Sequence, residues 1–173
     1  MKNTVLTYGI YSFILASILF SAALYFGYAL EFKTHGIIGY VTMILSLSLV
    51  YFGIKQHKNH VLEGEIDFKP AFVVGFGITS FVAIAFGLID AIYISTINPD
   101  FTETYIAYEF GLLEAQQLTE AELYYDKKSI LKRSEVFDNS TITFFVTLMM
   151  VLVIGTIISL LSALHLHTKE NEQ

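Results

Sequence analysis

Polar and apolar positions gather into long blocks along this chain. Four stretches, residues 3–30, 34–54, 70–89 and 139–168, contain no Asp, Glu, Lys or Arg. Each has at least the roughly 20 residues that a helix needs to cross a hydrocarbon core of about 30 Å. Transmembrane strands would alternate apolar and polar positions over about ten residues, whereas these runs are apolar on every face. Four such runs in a soluble chain would leave too little polar surface to coat a globule. The pattern therefore predicts an all-α fold, an integral membrane bundle of four transmembrane helices at about 5–30, 36–54, 70–97 and 141–164 in one membrane domain over 1–173. A cleaved signal peptide has an apolar region of only about 7–15 residues before a polar mature chain. The first run continues to Leu30, so it reads as a retained span.

The residues between the runs fix the arrangement. Residues 31–35, EFKTH, interrupt so briefly that the second helix must return antiparallel beside the first. Residues 55–69, KQHKNHVLEGEIDFK, read as an aqueous connection, and Pro70 suits a first helical turn because its missing N–H needs no partner there. Residues 98–140 are the one sizeable water-facing part. Asn98, ahead of Pro99 and Asp100, is placed to cap a helix. Phe101, Tyr105, Tyr108 and Leu112 then recur on one helical face. Thr119 and Glu122 have the spacing of a capping box, with Leu118 and Leu123 as its hydrophobic staple. Two short amphipathic helices are predicted here, their apolar faces on the membrane surface or on the mouth of the bundle.

Small residues recur every four positions in the third run: Ala71, Gly75, Thr79, Ala83, Gly87 and Ala91, continuing to Ser95. Such a stripe lets helix backbones approach closely, a main source of attraction between helices in lipid. Each step of four turns about 40° around the helix, so the stripe winds and is expected to meet successive partners. The third helix is thus the expected packing centre. Gly155 and Ser159 form a further small pair in the last run.

Composition narrows the chemistry. The absence of cysteine excludes disulfides, thiolate metal sites and cysteine nucleophiles. The net charge of −6 arises mostly in one loop and gives no support to nucleic-acid binding. With four spans, both termini and residues 55–69 share one side, and the ten Lys and Arg divide evenly between the sides. Lys2, Lys55, Lys58 and Lys69 lie nearest span ends, where positive charge orients most strongly, so both termini are expected in the cytoplasm.

Asp90 is the one acid inside an apolar run, and an intramembrane carboxylate is a candidate site for an ion or substrate. The structural alternative is an interfacial acid paired with a nearby donor such as a tyrosine hydroxyl or Lys33. His57, His60, His165 and His167 fall on one predicted side near Glu63, Glu65 and Asp67, so they are candidate metal ligands. Their spacing matches no tight metal site, and histidines that merely flank spans are the commoner case. Gly75 and Gly77 belong to no phosphate-binding motif. No serine has histidine and acid at a catalytic spacing, so no cofactor or catalytic group is expected.

The opening MKNTVLTYGIYSF, the segment YFGIKQHKN followed by GEIDFKPAFVVGFGITSFVAIAFGLI, and LTEAEL before the last span together resemble a bacterial membrane family, domain of unknown function 4199. The resemblance covers nearly the whole chain. It implies four spans, a long third connection and residence in the inner membrane, and it carries no catalytic residue. The first functional expectation is a non-enzymatic inner-membrane component that associates with a second copy or another membrane protein through its stripe and acidic loop. The alternative is a small-solute or ion transporter or channel component using Asp90 and the glycine-rich third helix. A membrane enzyme ranks third, for want of a nucleophile and base.

Overall fold

The computed structural model describes residues 1–27, 30–116 and 118–168. They form six α-helices: α1 (Lys2–Gly27), α2 (Phe32–Val61), α3 (Phe68–Ile92), α4 (Phe101–Glu114), α5 (Glu120–Ser134) and α6 (Ser140–Leu166). A π-helical turn, Tyr93–Ile97, prolongs α3. No strand occurs among the described residues. α1, α2, α3 with its π turn, and α6 are long and apolar enough to cross a membrane.

Most helix ends depart from the expected ones, and α2 departs furthest. The apolar run stops at Ile54, yet the helix continues through Lys55, Gln56, His57, Lys58, Asn59 and His60. Polarity alone does not end a helix, and none of these residues is Gly or Pro. The break comes at Glu63 and Gly64, which take left-handed φ values of 56° and 104°. The N–H groups of Leu62 and Gly64 reach back to the carbonyls of His57 and Lys58. The capping box of α5 is present as expected, with Glu122 accepting from the Thr119 N–H at 2.9 Å. Asn98 does not cap α4. Asp100 holds the capping position without a side-chain bond, and the Asn98 amide donates to the Tyr93 hydroxyl at 3.2 Å. Asn139 caps α6, accepting from Thr141 and Ile142.

α3 touches each of the other three long helices, most extensively α6. Half of its apolar window is buried, against 22–39% for the others, which makes it the packing centre. Of its small residues, Ala71, Gly75, Thr79, Ala83 and Gly87 are buried and Ala91 is half-buried. A Cβ on Gly75 would come within 2.9 Å of Ile54 and 3.1 Å of Ser159. One on Gly87 would lie 2.9 Å from the Phe144 carbonyl. Thr79 packs on Gly155, and its hydroxyl meets the Ser159 hydroxyl at 3.1 Å. Positions 75, 79 and 87 thus face 159, 155 and 144, an antiparallel register. The stripe meets α6 at 75, 79 and 87, and at 75 it meets Ile54 of α2 as well.

Along α6 the side chains are arranged inside out relative to a water-soluble bundle. The buried positions of α6 are Thr143, Thr147, Val151, Gly155, Ser159, Ser162, Ala163 and Leu166. Its exposed positions include Phe145, Met149, Val153, Ile157 and Leu161. At the α3–α6 contact small residues and hydroxyls approach closely, while Phe86, Met43, Leu47, Ile54 and Ile78 fill the rest of the interior and other bulky apolar groups cover the outer faces.

Candidate functional site

At one end of the bundle the helix ends are tied together. Thr4 Oγ1 and His57 Nδ1 share a hydrogen bond of 2.9 Å, and His57 is only 2% exposed. Lys58 Nζ donates to the Leu166 carbonyl at 2.9 Å. Thr168 and Ile66 pair reciprocally: the Ile66 N–H donates to Thr168 Oγ1, and the Thr168 N–H donates to the Ile66 carbonyl. These contacts fasten the end of α6 to the α2–α3 connection.

The four candidate metal ligands are spread across this end. His57 is committed to Thr4, and His60 is exposed. The ring of His165 packs 6.0 Å from that of Tyr51, and His167 Nδ1 lies 2.6 Å from the Leu164 carbonyl. Among the described residues no group of three or more His, Asp or Glu side chains converges as a metal site.

A cavity of about 490 Å³ lies beside His57 at this end. The opposite end is open as well. The last turn of α3 brings Asp90 against α6, where the Thr147 hydroxyl donates to Asp90 Oδ2 at 2.5 Å. The partner of Asp90 is thus a nearby hydroxyl donor, as in the structural alternative read from the sequence, and among the described residues that donor is a threonine rather than a tyrosine or Lys33. Asp90 lines a cavity of about 470 Å³ between α1, α2 and α3, within the range typical of small-ligand pockets. The far wall is α4, whose whole sequence-legible stripe of Phe101, Tyr105, Tyr108 and Leu112 lines it.

An aromatic cluster holds α4 in place. Phe32, in the first turn of α2, has ring centroids 5.7 Å from Phe101, 5.9 Å from Tyr105 and 5.1 Å from Tyr108. Phe137, after α5, stands edge-on to Phe101 at 5.1 Å and to Tyr105 at 5.5 Å. Tyr93 meets Phe101 at 6.1 Å. Such edge-to-face pairs contribute about 0.5–1.5 kcal/mol each beyond their buried area. Burial and the neighbouring Glu109 carboxylate push the Tyr105 hydroxyl above its ordinary range, with Arg133 opposing them. Tyr105 is therefore a neutral phenol at physiological pH.

The pairing of Thr147 with Asp90, and the part of Phe32 and Phe137 in the aromatic clamp, are not readable from the sequence spacing. A signal for Thr147 existed, since Thr143, Thr147, Gly155 and Ser159 repeat at multiples of four.

Four long apolar helices around small-residue contacts, with a helical pair over one end, have the shape and composition of a multi-pass membrane protein. The chain belongs to the family described as protein of unknown function DUF4199, whose model matches residues 7–168. No curated protein and no solved structure matches it.

Proposed function

We propose that this chain is a non-enzymatic, multi-pass protein of the bacterial inner membrane that takes up a small solute in the Asp90 cavity, as a carrier or channel component. The observation carrying this reading is Asp90 itself. A carboxylate whose only protein partner among the described residues is one hydroxyl, opening into a walled cavity, is poorly explained as a packing residue. The bulky apolar outer faces of the long helices support insertion in the lipid bilayer, and Lys2, Lys55, Lys58 and Lys69 near the span ends favour both termini in the cytoplasm, with the Asp90 cavity facing outward. The α4–α5 pair, amphipathic by its stripe, serves as the outer wall of the site.

The association reading is weakened because α3 spends its small-residue stripe on α6 within the chain. A second copy or a membrane-protein partner would have to dock on the outer faces of α1 or α6. No nucleic acid has a place in this scheme.

The cysteine-free sequence permits a direct test. Leu112→Cys, in the cavity wall, is expected to react with a membrane-impermeant maleimide added outside intact cells, and Val61→Cys only after permeabilisation. A panel of small amines, amino acids, sugars and inorganic ions should contain at least one member that slows labelling at Leu112→Cys, and Asp90→Asn should abolish that protection. Reversed accessibility would overturn the orientation; absence of protection by every member would overturn the solute site.

A further inference from the structure

Accepting the Asp90 cavity as a solute site, its chemistry narrows the solute. The carboxylate of Asp90 lies half-buried at the end of an apolar helix, with the Thr147 hydroxyl as its hydrogen-bond donor and no protein cation within ion-pair distance among the described residues. Removing a carboxylate from water without a paired charge is costly. A bound cation would offset that cost. A second carboxylate, Glu109, lines the same cavity. The basic residues on the wall are Lys33 and His35. Lys33 is exposed, so its ammonium stays hydrated and screened at the mouth. The His35 ring is packed against Gly27.

A metal ion fits poorly, since no set of three ligating side chains converges there among the described residues. Hard cations require six or more oxygen ligands or a retained water shell, and an aromatic wall supplies neither. An organic ammonium suits both halves of the site. Its charge pairs with a carboxylate, and its alkyl groups pack on ring faces, whose quadrupole attracts a cation within about 6 Å. Phe32, Tyr93, Phe101, Tyr105, Tyr108 and Phe137 all line this cavity. We infer that the cavity binds an organic ammonium cation, its charge on Asp90 and its alkyl groups against the aromatic wall of α2 and α4. This rests on the solute-site reading above.

Choline and its uncharged carbon isostere, 3,3-dimethylbutan-1-ol, separate the charge from the shape. Titration calorimetry of the full chain in detergent is expected to show choline binding at least tenfold more tightly than the alcohol. Asp90→Asn should weaken choline at least tenfold and leave the alcohol unchanged. Should Asp90→Asn fail to fold, Tyr108→Leu keeps the apolar bulk, removes the ring, and should narrow the gap between the two ligands. Equal affinity of choline and the alcohol, as a carboxylic acid neutralised by a proton would give, overturns the ammonium assignment and leaves the solute site standing. So does a lack of binding by choline when another class of solute protects Leu112→Cys. Absence of protection by every solute brings down the solute site, and the ammonium assignment with it.

Discussion

The two ends of the bundle each set a polar side chain against a threonine hydroxyl, buried His57 on Thr4 and half-buried Asp90 on Thr147, and they do different things with it. At the His57 end the surrounding hydrogen bonds run between helix ends, from Lys58 to Leu166 and between Ile66 and Thr168, beside a cavity of about 490 Å³ that His57 itself lines. At the Asp90 end the helices splay around about 470 Å³, and aromatic rings rather than hydrogen bonds close the gap. A polar group set among hydrogen bonds that tie helix ends together acts as a fastening. One set beside a cavity walled by aromatic rings acts as a site. The same chemistry, a titratable group with a hydroxyl, thus has a different meaning according to what its remaining valence faces.

The comparison is most easily broken through stability. His57→Ala removes a 2% exposed ring and leaves the Thr4 hydroxyl without its partner. Cavity formation and an unsatisfied donor together should cost about 2–4 kcal/mol, read as a fall in thermal midpoint of the purified protein. A loss below about 0.5 kcal/mol, the range of ordinary surface changes, would show that this end is not a fastening. Asp90→Leu should behave differently. It replaces an under-paired carboxylate with an apolar group of similar size, and Thr147 can turn its hydroxyl to its own helix backbone, as Ser159 does with Gly155. Stability is expected to hold or rise by about 1 kcal/mol, because residues kept for function are often poor for stability. Destabilisation as large as that of His57→Ala would make Asp90 a packing residue and remove the contrast.

What the sequence made legible follows from which forces act locally. The four apolar helices could be read because a charge-free run of 20 or more residues has few other uses. Asp90 could be read because it breaks such a run, and the α3 stripe because helical spacing needs no tertiary knowledge. The capping box at Thr119 and Glu122 is equally local. The end of α2 was not legible from apolarity, because Lys55 to His60 favour a helix in spite of their polarity. His57 looked like a residue flanking a span, and its burial depends on where the first turn of α1 arrives. The cavity was half legible. The stripe of α4 was visible, but its partner Phe32 lies some 70 residues earlier, and no spacing rule connects them. Long-range register decides such pairs, and a single sequence does not encode it in any periodicity.

The smallest effect concerns how the Asp90 end keeps its wall. α5 starts at the capping box, where the Thr119 hydroxyl and N–H both donate to Glu122 and hold its carboxyl below the ordinary 4.5. An acid depressed in the folded state stabilises that state at pH above its unfolded value, and the contribution is lost as pH falls through the folded value. The first turn of α5 should therefore be more protected from hydrogen exchange at pH 6 than at pH 3.5, after correction for intrinsic exchange rates. Glu122→Gln preserves the shape of the box but does not titrate, so its protection should be lower at pH 6 and nearly flat with pH. Because Glu122 is fully solvent-facing, the loss should stay local and leave the thermal midpoint of the bundle unmoved. If acid instead loosened Thr4 and His57 in step with α5, the two ends would be coupled through the bundle, and the division into a fastened end and an aromatic-walled one would fail.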